Sequence, residues 1–273
     1  MQVIILGSGS PLPDPNRAGP ATLVRAGDKT LLFDCGRGVL MRAAAVKAYA
    51  PRLDALFMTH MHSDHTTDFN DVITTRWIMS AGPNPLRVYG PVGVEQFADR
   101  TMAALEFDIG YRLAHHDDLG DGPKLDVSSL NDGAELEEDG LRIIAAATDH
   151  SPVHPTLGYR LEFDGKVVAI AGDTVPCAGL DLICADADIY VQTVIRSDLI
   201  EKSPSTRMRD VLDYHSDVAQ AGETAARNRV KKLVLNHFVP PPPPGKEAEW
   251  AADATARFSG VVLVADDLLE VSC

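Results

Sequence analysis

Short apolar runs broken by Gly, Pro and Asp open the chain: "QVIILG", "ATLVRAG" and "KTLLFDCG". Their length and β-rich content predict a meander of strands. Beyond them the apolar spacing lengthens to a helical period at "GVLMRAAAVKAYA" and then alternates between the two kinds. "RLDALFMTH" predicts a strand ending at His60, "FNDVITTRWIMS" a helix, "LRVYG" a strand, and "GVEQFADRTMAALEF" an amphipathic helix.

Between about 108 and 140 the pattern weakens into an acidic, turn-rich stretch, with "HHDDLGDGPKLD" its least ordered part. This predicts a surface insertion within a single domain spanning 1–273. Order resumes at "LRIIAAATDH", followed by "LGYRLEFDGKVVAIAGDT", a hairpin turning at "DG", and "ADIYVQTVI". The chain closes with a helix at "SDVAQAGETAARNR", a strand at "KKLVLNHF", a run of prolines, a helix at "AEWAADATARF" and a final strand "GVVLVADDLLEVS". Both halves place strands before helices. The fold class this predicts is α/β, a four-layer αββα sandwich of two sheets with helices outside.

Four polar sites fall at the ends of predicted strands: His60 in "MTH", His150 in "TDH", Asp173 in "AGD" and His237 in "LNH". Sites in α/β proteins assemble at the carboxyl ends of strands, so these four are expected to converge. The stretch "FMTHMHSDHTTD" adds His62, Asp64 and His65 in one tight loop. Imidazoles and carboxylates this crowded repel when charged and go unsatisfied when buried, unless they face water or hold a cation. Seven such groups exceed what one tetrahedral ion uses, which implies two ions of zinc or a similar first-row metal.

The 45% hydrophobic content is that of an ordinary globular protein. A net charge of −14 argues against a surface that neutralises a phosphate backbone or an anionic membrane, so nucleic acid and membrane are not expected partners. Cys35, Cys177, Cys184 and Cys273 form no CxxC pair and read as reduced thiols. The first apolar run is too short for a signal peptide and no later one reaches a membrane span. A cytoplasmic location is the expectation.

"THMHSDH" resembles the HxHxDH motif of the metallo-β-lactamase superfamily, and "AGDT" and "LNHF" resemble its later ligand motifs in the same order. "LGSGSPLPDPNRAGPATLVRAGDKTLLFDCGRGV" is similar to the N-terminal segment of the ribonuclease Z-like and arylsulfatase-like branches. The resemblance implies that His60, His62 and His150 hold one zinc, Asp64, His65 and His237 the other, with Asp173 bridging and Mn2+ or Fe2+ as substitutes. It also implies a hydroxide held between the metals as nucleophile.

"DYHSDVAQAGETAARNRVKKLVLNHF" resembles the ribonuclease Z segment in which a histidine before a helix protonates the leaving group, a place taken here by His215. Asp64 and His215 are accordingly the candidate catalytic residues. Three features point away from tRNA processing. Gln192 or Thr193 stands where that branch has an acid, His150 and Asp173 are too close in sequence to enclose a tRNA-gripping arm, and "DCGRGV" and "DIGYRLAHHDD" resemble the arylsulfatase-like branch. The expected function is therefore hydrolysis of a small sulfate or phosphate ester. The alternatives are a ribonuclease Z-like tRNA 3′-processing endonuclease, a lactonase or cyclic-nucleotide phosphodiesterase, and an inactive binding protein of the same fold; a homodimer is compatible with each. His154 competes with His150 as a ligand, and His115 and His116 are expected to be solvated.

Overall fold

In the computed structural model, which describes residues 1–273, the chain folds into two seven-stranded sheets. The first holds β1 (Gln2–Gly7), β2 (Ala21–Ala26), β3 (Lys29–Phe33), β4 (Ala55–Phe57), β5 (Leu86–Pro91) and β6 (Leu125–Leu130) side by side in chain order. The second holds β7 (Glu135–Glu138), β8 (Leu141–Ala147), β9 (Leu157–Phe163), β10 (Lys166–Ile170), β11 (Ile189–Ile195), β12 (Lys232–Val239) and β13 (Val261–Val264). The last strand, β14 (Leu269–Ser272), returns to pair antiparallel with β1.

The two sheets share a plan. Each begins antiparallel, through β1–β2–β3 and β7–β8–β9–β10, and continues parallel, through β3–β4–β5–β6 and β10–β11–β12–β13. Helices α1 (Val39–Ala45), α2 (Ser63–Thr66), α3 (Phe69–Met79), α4 (Val94–Ala104) and α5 (Glu106–His115) occur in the first half. The second half carries α6 (Ala178–Cys184), α7 (Ser197–Ile200), α8 (Thr206–Asp210), α9 (Val218–Arg227) and α10 (Glu247–Thr255).

Burial on both faces explains the unbroken apolar runs. On β1, Val3 and Ile5 join the core between the sheets, while Ile4 and Leu6 join a second core formed with α1, α3 and α4. A strand covered on both sides has no polar face, so period-two alternation disappears from its sequence. The "DG" turn between β9 and β10 forms as the sequence predicts. Asp164 (φ 50°) and Gly165 (φ 66°) are both left-handed, the conformation a two-residue hairpin turn of type I′ requires. Helix α9 starts at a reciprocal cap in which Asp217 accepts from the Gln220 backbone and Gln220 accepts from the Asp217 backbone.

Three expectations are corrected. The stretch 108–140 is not an excursion outside the sheets: it contains most of α5 and supplies an edge strand to each sheet, β6 and β7. The final run is two strands lying in different sheets, β13 and β14, because the segment at Ala265–Leu268 carries the chain from one to the other. Strand β4 stops at Phe57, so His60 lies on the loop beyond it. The four cysteines are free, with Cys35 and Cys184 buried.

Candidate metal centre

Three of the four strand-end residues occupy equivalent places. His60, His150 and Asp173 each lie three positions past the last residue of a strand, Phe57, Ala147 and Ile170 respectively. His237 differs: it lies within β12, where a left-handed φ of 50° breaks the side-chain alternation. The loop after β4 enters the short helix α2, which carries Asp64 and His65 inwards. The structure thus gathers all seven predicted residues into two clusters, His60, His62, His150 and Asp173 in one and Asp64, His65 and His237 in the other.

Hydrogen bonds at the back of the imidazoles fix which nitrogen points inwards. The carbonyl of Tyr214 can only accept, so His150 donates its Nδ1–H to it across 2.8 Å and keeps a lone pair on Nε2. Asp34 accepts from Thr59 N (2.8 Å), Thr59 Oγ1 (2.9 Å) and His65 Nδ1 (2.8 Å). The Thr59 hydroxyl has spent its proton on Asp34 and therefore accepts from His60 Nδ1 at 3.0 Å. One carboxylate thereby orients a histidine in each cluster. Sequence reasoning passed over Asp34 and Thr59; the available signal was the polar "FD" and "MT" steps at the ends of β3 and β4.

With these tautomers fixed, the inward nitrogens of His60 and His150 converge on His62. His62 Nδ1 lies 3.0 Å from His60 Nε2 and 3.3 Å from His150 Nε2. His65 Nε2 and Asp173 Oδ1 are buried without a hydrogen-bond partner. Imidazole nitrogens and carboxylate oxygens converging in a buried pocket suit a cation. Burial, reinforced by the neighbouring His65, holds His60 well below the usual imidazole range, and burial also lowers His62 and His150. Neutral imidazoles are the form that binds metal.

The second cluster is more acidic. Burial pushes the Asp64 carboxyl up, but the His237 hydrogen bond and the nearby His65 hold it below its ordinary value. Burial likewise opposes ionisation of Asp173, yet His237 and His65 keep it well below. Asp173 Oδ2 lies 3.3 Å from His65 Nε2, 3.6 Å from His237 Nε2 and 3.8 Å from both His60 and His150 Nε2, within reach of both clusters.

His215 precedes α9 and is buried beside this carboxylate, its Nε2 3.2 Å from Asp173 Oδ2. It belongs to neither cluster. His154 is exposed and meets Ser151 Oγ at 3.0 Å, apart from both clusters. His115 and His116 are exposed at the end of α5, packed against each other. Gln192 is buried among Tyr190 and the Thr193 carbonyl, while Thr193 faces a small cavity behind His65 and His237.

Two sheets, flanking helices and this double cluster define a metal-dependent hydrolase of the metallo-β-lactamase fold. The model of the family described as "Beta-lactamase superfamily domain" matches residues 29–238, and the chain belongs to that superfamily. The chain is 50% identical over 273 residues to a ribonuclease Z of Mycolicibacterium gilvum, covering 99% of this chain and 96% of that protein. Among solved structures it is similar to the metallo-β-lactamase fold protein YhfI of Bacillus subtilis (TM-score 0.77, 21% identity, 99% and 98% of the two chains). It is also similar to the short form of human tRNase Z (TM-score 0.72, 23% identity, 100% and 99%).

The fold implies divalent metal ions, and two clusters able to hold them are present. The expectation that nucleic acid is not a partner is overturned by the half-identical relative, whose name makes it a nuclease of RNA. The charge of −14 belongs to the whole chain, whereas contact with a phosphate backbone depends on local charge. No helix is long and apolar enough to cross a membrane.

Proposed function

We propose that the protein is a ribonuclease Z-like endonuclease that removes 3′ extensions from precursor tRNA. The observation that carries this reading is end-to-end identity of 50% with a ribonuclease Z. The alignment leaves only 4% of that relative uncovered, so a long arm inserted between the third histidine and the bridging aspartate is not needed for its name. The short spacing from His150 to Asp173 therefore no longer separates the branches.

In this reading His60, His62 and His150 hold one ion, Asp64, His65 and His237 the other, and Asp173 reaches both. The ligand chemistry suits zinc, with manganese or iron as substitutes. Bound ions supply Lewis acidity towards a phosphoryl oxygen and a strong nucleophile at neutral pH. The protein's own contribution is to fix the imidazoles through Asp34, Thr59 and the Tyr214 carbonyl, and to donate a proton from His215 to the leaving ribose oxygen.

Individual cations near His215 are available to a phosphate backbone, among Glu201, Asp210 and Asp213 in the same segment. Lys202, Arg207 and Arg209 lie in the segment leading to His215, and none is salt-bridged to a carboxylate. A cytoplasmic location, consistent with four free cysteines, belongs to the same reading. So does a homodimer: Phe107 and Tyr111 on α5 are 74% and 72% exposed, an apolar face a second copy would cover, and sedimentation of a Phe107→Asp variant as a monomer would support it.

A competition panel tests the function. A 3′-extended tRNA, an aryl sulfate, a small phosphodiester and a lactone are offered to protein loaded with zinc or with manganese. Specific cleavage of the tRNA precursor at physiological salt is the expected outcome. Turnover of only the small esters would return the function to the ester-hydrolase alternative.

A further inference from the structure

Three of the clustered imidazoles have a partner for the nitrogen that turns away from the centre: His60 has Thr59, His65 has Asp34 and His150 has the Tyr214 carbonyl. His237 has none. Its Nε2 faces Asp64 Oδ2 at 3.1 Å, and its Nδ1 is buried without a hydrogen bond although the residue is only 1% exposed. A metal-binding histidine almost always donates its second N–H to an oxygen, because that bond fixes the tautomer and the ring orientation. An Nε2 that carries a metal leaves the proton on Nδ1, so a buried donor here requires an acceptor.

A second unpaired atom belongs to the preceding residue. Asn236 Oδ1 is buried without a partner, and Asn236 sits opposite Thr193 in the β11–β12 register. His237, Asn236 and Thr193 line one cavity of about 20 Å³, together with Thr22 on β2 and Asp34 just past the end of β3. That volume holds about one water molecule, which needs two to four polar partners. Thr193, Thr22 and Asn236 are otherwise almost wholly buried, and no hydrogen bond occupies the hydroxyl of either threonine.

We infer that this cavity is a site for one structural water that accepts the Nδ1–H of His237 and donates to Asn236 Oδ1, with the Thr193 hydroxyl as third partner. The water completes the outer support of the Asp64/His65/His237 cluster. Asn236 and Thr193 are positioning residues for His237, acting through that water. The inference rests on the metal-centre reading above, in which a metal on Nε2 leaves the proton on Nδ1.

The test uses full-length protein. A high-resolution crystal structure of the zinc-loaded form is expected to show ordered solvent about 3 Å from His237 Nδ1. In parallel, zinc affinities are measured by chelator competition for the wild type and for Thr193→Val/Asn236→Leu, near-isosteric changes that remove the cavity's polar groups. The double variant is expected to bind zinc at the Asp64/His65/His237 cluster 10- to 100-fold more weakly, with the His60/His62/His150 cluster unchanged. Thr193→Ser, which keeps the hydroxyl, is expected to match the wild type and serves if the double variant does not fold. A dry cavity, or unchanged zinc affinity in the folded double variant, overturns the inference. Wild type that binds no zinc at the second cluster would instead refute the metal-centre reading, while the solvent density would still decide whether the cavity is hydrated.

Discussion

The two halves of the centre are built differently. The His60/His62/His150 cluster is made of imidazoles held below their ordinary range, His60 and His150 chiefly by burial, while His62 keeps an edge open to solvent. The Asp64/His65/His237 cluster is fully buried and carries its own carboxylate. There Asp173 and Asp34 outweigh the effect of burial and raise His65 well above its usual value, and Asp173 and Asp64 do the same for His237. One cluster offers lone pairs ready for a cation; the other offers negative potential that a proton fills when a metal does not. The difference teaches that one sequence motif, HxHxDH, feeds two environments, and that the outer residues decide what each becomes.

The largest expected effect comes from removing what the clusters share. Asp173→Ala should lose at least one ion and nearly all activity, read by metal analysis of purified protein. Full occupancy and activity in that variant would break the two-cluster assignment. Next is His215→Ala, which should slow cleavage of a poor leaving group by about 100- to 10,000-fold with both metals retained. A good leaving group such as nitrophenolate should be affected much less, and a uniform loss would remove His215 from the chemistry.

Asp34→Asn sharpens the comparison, because Asp34 meets His65 directly but reaches His60 only through Thr59. Metal affinity should fall by about 10- to 100-fold at the second cluster and by less at the first. Equal losses at both would mean that Thr59 transmits the full effect. The pH dependence separates the clusters by sign. His65 and His237, raised in the metal-free protein, must shed protons when a cation enters, so affinity at the second cluster should climb with pH above the ordinary histidine range near 6.5. His60, His62 and His150, lowered, are already neutral there, so the first cluster should be nearly flat. Proton release measured by calorimetry in buffers of different ionisation enthalpy checks this. The smallest effect is Asp217→Ala, which removes the cap of α9 and should cost about 1 kcal/mol of stability without changing metal content.

The inner residues were legible because chemistry and position coincide in them: a histidine or aspartate just past an apolar strand is visible in the sequence. The outer ones were not. Asp34 and Thr59 act through hydrogen bonds between β3 and β4 whose pairing no local pattern reveals. Strands β6 and β7 were missed because they are edges. "LDVSSL" has one buried side chain and "ELEE" none, so neither carries the apolar signal that marked β1 or β11. The closing run looked like one strand because the jump between sheets is made by "ADDL", too brief to register as a break. The expectation that nucleic acid is not a partner failed for a related reason. Net charge is an average over the chain and does not report where single cations such as Lys202, Arg207 and Arg209 lie.

The most direct test of the account is to map the ends of the products formed from a 3′-extended tRNA by metal-loaded protein, alongside the same protein stripped by chelator. The account predicts cleavage at the 3′ boundary of the mature tRNA, lost on chelation and restored by zinc or manganese. An intact precursor after incubation with protein carrying two ions per chain would contradict it.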